Sequence, residues 1–191
     1  MSHKHSNDSA LQDVLLLEYE RYDDLRGSLS PLISSTKLVS VPGFQDFEIK
    51  QINSVTSKFG AIRGIHASSH LWPQRKIVFC IAGQITDVIV DLCPFSESFG
   101  KAKSFELSGE FKVSLALPAC VGHSFQTKST YSVVNYLLDR EYNPTYEVNV
   151  NPMSKSLNIQ WINPFVLSDK DATSPFFDGL SKDFFSKAEP T

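Results

Sequence analysis

Lys76-Ile77-Val78-Phe79-Cys80-Ile81-Ala82-Gly83-Gln84-Ile85-Thr86-Asp87-Val88-Ile89-Val90-Asp91-Leu92 reads as a strand, a turn and a returning strand. The first run is rich in β-branched and aromatic residues, which fit a pleated, half-buried surface. Ala82-Gly83-Gln84 supplies the turn. The second run alternates, so one face carries Asp87 and the other Val88 and Val90. Asp87 reads as a solvated strand residue without a catalytic role.

The same pattern continues outward. Residues 105–107, 113–117, 122–126 and 132–138 repeat short apolar runs between Gly- and Pro-bearing breaks. Upstream, 47–55 alternates and looks extended, Asp23-Asp24-Leu25-Arg26-Gly27 is a turn, and Pro31, Pro42 and Gly43 break the chain. Residues 10–19 begin either a strand or a short helix. Strands every ten or so residues predict a mainly β protein, an antiparallel jelly roll or barrel. Only 175–186 looks helical, with Phe176, Phe177, Leu180, Phe184 and Phe185 forming an apolar stripe. No repeat or internal boundary appears, so 1–191 is expected to be one domain, with 1–9 a disordered polar N-terminus.

Composition narrows the functional classes. Apolar residues make up 41% of the 191 residues, enough for a packed core. The net charge of −3 gives no electrostatic case for nucleic acid or an anionic membrane. No apolar run approaches the roughly 20 residues that cross a bilayer. The first nine residues, with His3 and His5, do not resemble a signal peptide, so a cytoplasmic location is expected. Cys80, Cys93 and Cys120 have neither disulfide nor zinc-ribbon spacing and read as packing thiols.

The chemistry concentrates in Gly60-Ala61-Ile62-Arg63-Gly64-Ile65-His66 and in Lys76, ten residues later. Histidine titrates near neutrality and suits a general base. Lysine suits the cation that holds an enolate oxygen. Strict alternation places Arg63 and His66 on opposite faces; a bulge at Gly64 would bring them together.

These residues sit within a longer resemblance. Gln51, Asn53, Ser57, Gly60, Arg63, Gly64 and His66 follow Q-x-N…S…G-x-x-R-G-x-H. Gly83 to Leu92 follows G-E-V-x-D-V-x-V-D-L, and Ser96-Glu97-Ser98-Phe99-Gly100 echoes S-P-T-F-G. Leu117 to Phe125 echoes I-P-x-G-x-A-H-G-F, Tyr136 to Pro144 echoes Y-x-x-x-x-Y-Y-N-P, and Leu167-Ser168-Asp169-Lys170-Asp171 matches L-S-x-K-D. Six motifs in register over about residues 20–178 resemble the dTDP-4-dehydrorhamnose 3,5-epimerases. The resemblance implies a cupin-type jelly roll that needs no cofactor or metal and works as a bacterial homodimer with exchanged strands. It implies a nucleotide-linked 4-keto-6-deoxy sugar as substrate, inverted at C3 and C5 or at C3 alone, for a surface polysaccharide such as an O-antigen. It implies His66 as base, Asp171 as its dyad partner, Lys76 as the enolate cation and Tyr136 as the acid on the opposite face. Arg26, Gln51, Asn53, Arg63 and His123 would surround the sugar and nucleotide.

Three departures stand out. The Arg26-Gly27 turn continues Ser28-Leu29-Ser30-Pro31, without the family's aromatics and with Pro31 in place of its glutamate. That leaves the nucleotide open among dTDP, CDP and GDP. His66-Ala67-Ser68 replaces H-Y-Q or H-F-Q, and the W-N-D element after the N-P turn is missing. Two rival classes are a metal-dependent cupin using His66, His70 and His123, and a non-catalytic sugar-nucleotide-binding cupin. His66-x3-His70 is not the usual H-x-H pair, and the four chemical residues are all present.

Overall fold

The computed structural model describes residues 4–5, 11, 13–111 and 113–186. The strands are β1 (Lys4–His5), β2 (Leu15–Glu18), β3 (Tyr22–Asp24), β4 (Gly27–Leu29), β5 (Gln51–Lys58), β6 (Ile62–Ser68) and β7 (Lys76–Ala82). They continue with β8 (Gln84–Asp91), β9 (Ala102–Ser108), β10 (Val113–Leu117), β11 (Val121–Thr127), β12 (Tyr131–Leu138) and β13 (Glu147–Asn149). A six-stranded sheet in the order β1-β2-β10-β7-β12-β5 faces a five-stranded sheet in the order β13-β6-β11-β8-β9. All strand pairings between named strands are antiparallel, as the jelly-roll reading requires. Of the expected disordered N-terminus, Lys4 and His5 pair with Leu16 and Leu15; the rest of 1–9 lies outside the described residues.

The decisive hairpin is not a ladder. β7 pairs with β10 and β12, whereas β8 pairs with β11 and β9. The chain therefore crosses from one sheet to the other at Gly83, whose φ is +76°. A Cβ there would lie 2.1 Å from the Tyr131 carbonyl oxygen, so glycine is required both for the turn and for the approach.

Because the central strands such as β7 and β8 are covered on both sides, alternation sorts their side chains between an inner and an outer core. On β7, Val78 and Cys80 point between the sheets, while Ile77 and Phe79 point outward. Between the sheets, β8, β11 and β12 add Ile85, Ile89, Phe125 and Val134. The outer face of the six-stranded sheet is covered by Val41, Phe44 and Phe47, with α1 (Ser35–Leu38) contributing Leu38. The segment 47–50, expected to be extended, precedes β5 and lies outside it.

The outer face of the five-stranded sheet is covered by the C-terminal segment. The helix expected over 175–186 is broken into a short 3-10 turn (Phe177–Gly179) and α3 (Lys182–Ser186), after α2 (Asp169–Thr173). Gly179 is a poor helix interior residue. Interrupting the helix lets Phe177, Leu180, Phe184 and Phe185 follow the sheet and pack on Val88 and Val90. Phe176, assigned to the same stripe, is exposed. Among the described residues, no helix is long and apolar enough to cross a membrane.

Candidate active site

One end of the space between the sheets opens as a cleft. Its lining includes six of the nine residues singled out from the sequence: His66, Lys76, Tyr136, Arg63, His123 and Asn53. Lys76 and Tyr136 come from the six-stranded sheet, His66 and His123 from the five-stranded sheet. A ligand in the cleft would therefore have groups on both sides.

Arg63 and His66 share the cleft because β6 is irregular. Pairing of β11 with β6 shifts register between His123 and Phe125, opposite Gly64. Gly64 has φ +109°, and a Cβ there would stand 2.4 Å from the His123 carbonyl oxygen. The expected irregularity turns Arg63 inward three residues before His66. Arg63 Nε donates to Ser57 Oγ at 2.9 Å, which fixes its fork at the wall.

Asp171 reaches His66 from α2. Ser168 caps that helix by accepting from the Asp171 N–H, an interaction of about 1 kcal/mol. The Asp171 Oδ1 to His66 Nε2 distance is 2.7 Å. Burial pushes the Asp171 carboxyl up, but the His66 hydrogen bond and charge, Ser168 and the Gly64 N–H outweigh it and hold the group below its ordinary value. Asp171 thus stays ionised, able to orient the ring and support an imidazolium without taking the proton itself.

Lys76 Nζ donates to the His66 carbonyl at 3.3 Å. Burial lowers its pKa to about 8, opposed by the charges of Glu147 and Asp87. Tyr136 is pushed well above its ordinary value, first by burial and then by Asp87, with Arg63 opposing. Its hydroxyl therefore keeps its proton across the neutral range. His123 Nε2 lies 2.8 Å from Asp87 Oδ2, and its ring stands edge-on to Tyr136 at 5.5 Å. Asp87 is not a solvated strand residue: it is 0% exposed, because the inward face of β8 is closed by the opposite sheet.

Two predicted residues stand elsewhere. Gln51 uses its amide on the protein, donating to Asn53 Oδ1 at 2.7 Å and accepting from the Tyr142 N–H at 2.8 Å. Arg26 is at the tip of the separate β3–β4 hairpin, where it pairs with Asp24 and its side chain is 90% exposed. It does not line the cleft of its own chain.

Sequence reasoning assigned no role to Trp72, Gln74, Tyr142 or Glu147, which also line the cleft. Trp72 stacks on Tyr146, lies under the Arg140 guanidinium and donates to the Glu141 carbonyl at 3.2 Å. Gln74 Nε2 donates to the Arg140 carbonyl at 2.9 Å. Together they weld the β6–β7 loop to the segment after β12. Glu147 accepts from the Tyr142 hydroxyl at 3.0 Å and from Lys170. The available signal was Gln74-Arg75-Lys76 and the Tyr142-Asn143-Pro144 motif, both beside residues that were assigned. Among the described residues, no group of three or more His, Cys, Asp and Glu side chains is placed to hold a metal ion.

The family model for dTDP-4-dehydrorhamnose 3,5-epimerase matches residues 8–179. The chain belongs to this family of sugar epimerases. It is 32% identical over 177 residues to the dTDP-4-dehydrorhamnose 3,5-epimerase of Shigella flexneri, covering 92% of this chain and 96% of that one. It is 34% identical over 133 residues to the dTDP-4-dehydro-6-deoxyglucose 3-epimerase of Streptomyces bikiniensis, covering 68% and 67%. The crystal structure of dTDP-6-deoxy-D-glucose-3,5-epimerase from Legionella pneumophila, in complex with dTDP-4-keto-L-rhamnose, superposes with a TM-score of 0.88 at 25% identity, covering 97% of each chain. The cupin jelly roll of the family is therefore the fold of this chain.

Proposed function

We propose that this chain epimerises a dTDP-linked 4-keto-6-deoxyhexose at C3 and C5 by deprotonation and reprotonation beside the ketone. The observation that carries the reading is the cleft itself. His66, oriented by ionised Asp171, stands on one sheet, and protonated Tyr136 stands on the other, with the Lys76 ammonium between the same walls. His66 removes the α-proton, Lys76 stabilises the enolate oxygen, and Tyr136 returns a proton from the opposite face. The dTDP nucleotide follows from what the Shigella and Streptomyces relatives are named for.

Arg63, His123 and Asn53 are assigned to the substrate, with Gln51 holding Asn53 and Tyr142 in place. Arg26 requires a second copy. Its hairpin is exposed along its length, with Tyr22, Leu25 and Leu29 all open to solvent. In a homodimer such a hairpin can cover the partner's cleft and bring Arg26 to the diphosphate, which its planar fork suits. The assignment extends to a cytoplasmic enzyme of surface-polysaccharide synthesis.

C3-only inversion is the second reading. It is favoured by the identity to the Streptomyces bikiniensis 3-epimerase and by Ala67 and Ser68 beside the base. NMR in D2O with dTDP-4-keto-6-deoxyglucose tests both. Deuterium at C3 and C5 supports the first reading, and deuterium at C3 alone supports the second. No exchange with dTDP-, CDP- or GDP-linked sugars ends the epimerase reading.

A further inference from the structure

The cleft floor contains a carboxylate that the proton transfers do not use. Asp87 is completely buried on the inward face of β8, and its Oδ2 lies 2.8 Å from His123 Nε2. Its Oδ1 accepts no hydrogen bond among the described residues. A buried carboxylate is expensive, and one that spends only half its acceptors is more so. Asp91, four residues along the same strand, shows the ordinary solution. It is 1% exposed, and it accepts from the Cys93 N–H at 2.9 Å and the Ser98 hydroxyl at 3.3 Å, tying down the turn after β8. Asp87 ties down no turn. Its partners are His123 and, through space, Lys76 and Tyr136, which come from three different strands of the cleft.

We propose that Asp87 is a positioning residue of the epimerase site: it holds His123 as the Nε2–H tautomer and serves as the buried counter-ion of the Lys76 ammonium. The proposal rests on the epimerase reading for what the site does, but not for the geometry. A carboxylate on one ring nitrogen fixes the other as the face offered to the cleft. With Asp87 on Nε2, the His123 Nδ1 is left for the substrate. The ring is also locked edge-on against Tyr136, which limits where the tyrosine hydroxyl can stand.

The counter-ion role follows from the charges around Lys76. Arg63 and His66 face it from β6, His123 from β11 and Tyr136 from β12; the facing carboxylates are Asp87 on β8 and Glu147 on β13. Asp171 lies behind His66 and is engaged with it. Glu147 is shared with Lys170 and Tyr142 at the mouth. Glu147 acts the more strongly on Lys76 but also holds Lys170, while Asp87 adds the second facing charge through a carboxylate whose Oδ1 accepts no hydrogen bond among the described residues. An ammonium is needed to hold an enolate oxygen, so losing Asp87 weakens catalysis by reducing the protonated fraction of Lys76.

The test is Asp87→Asn in the full-length enzyme, with Asp91→Asn as control. Asn has nearly the same shape and removes the charge, which leaves the buried Lys76 ammonium less compensated, so the melting temperature should fall. The value of kcat should fall about tenfold or more, and the alkaline limb of the kcat–pH profile should move to lower pH. Asp91→Asn should lower stability and leave that limb in place. An unmoved alkaline limb with kcat intact in Asp87→Asn overturns the proposal. If that variant does not fold, 15N NMR of wild-type histidines decides: an Nε2–H tautomer at His123 supports the assignment, and an Nδ1–H tautomer ends it. Wild-type protein that turns over no nucleotide sugar would end the epimerase reading, while the tautomer measurement would still judge Asp87.

Discussion

The protein contains two histidine–carboxylate pairs of nearly identical local geometry at very different depths. His66 and Asp171 meet at 2.7 Å with side chains 32% and 5% exposed, while His123 and Asp87 meet at 2.8 Å with 5% and 0% exposed. Both join Nε2 to a carboxylate oxygen. His66 is the more open of the two, and its exposed side is where a proton can be taken and passed on. His123 also lines the cleft but is set deep in it, between Asp87 and the edge of the Tyr136 ring, so its imidazole is placed to orient and contact the substrate. A dyad distance therefore does not identify a base; the depth at which the histidine sits separates the two.

The sharpest way to break this contrast is to remove each imidazole in turn. His66→Asn should lower kcat by about 10³-fold or more, within the range for a lost general base. His123→Asn should cost about tenfold, chiefly in KM, as a lost substrate contact. Solvent-deuterium exchange measured by NMR checks both variants. If His123→Asn abolishes exchange as completely as His66→Asn, the buried pair is also doing proton transfer and the distinction fails.

Lys76 lies between the two pairs and gives the next largest effect. Its folded pKa of about 8 lies below the ordinary lysine value of 10.5. Folding therefore disfavours the ammonium. The cost is fully present below pH 8, where both folded and unfolded lysine are charged, and it is relieved as pH rises from 8 to 10.5. Activity should run the other way and fall as pH passes 8, because the enolate loses its cation. Lys76→Met should cost about 10²-fold or more in kcat and raise stability at pH 7 by at most about 3 kcal/mol. Kinetics with chemical denaturation on the same samples reads both. A variant that loses stability along with activity would show that the ammonium is not strained by burial.

The depth of these residues explains what could be read from the chain. The strands over 113–117 and 132–138 were legible because apolar alternation is a local property, and Gly83 marked its turn. Sheet membership was not, since nothing between Lys76 and Leu92 says that β7 and β8 belong to different sheets. Asp87 was misread for the same reason: alternation gives the face of a strand, not whether another sheet closes over it. Gly64 was read correctly because a glycine flanked by Arg63 and His66 leaves few other ways to put both into one site. Arg26 was placed at the nucleotide by resemblance, but within one chain the hairpin carries it away from the cleft, a question of assembly that no local pattern answers. Trp72 and Glu147 stayed silent because each works through contacts between segments distant in sequence.

Asp171 gives the smallest expected effect on stability. Its folded pKa is depressed despite burial, so its interaction with His66, Ser168 and the Gly64 N–H stabilises the fold above the unfolded carboxyl pKa. That contribution is lost as pH falls through the lower folded value. Asp171→Asn should therefore lower stability at pH 7 by about 1 kcal/mol, the typical net value of one such hydrogen bond. The gap between variant and wild type should close in the acid, below about pH 4, as the wild-type carboxyl is protonated. Thermal melts at a series of pH values measure the gap directly. A gap that persists unchanged into the acid would mean that Asp171 supports α2 by shape and capping alone. The ion pair with His66 would then serve catalysis without holding the rim of the cleft together.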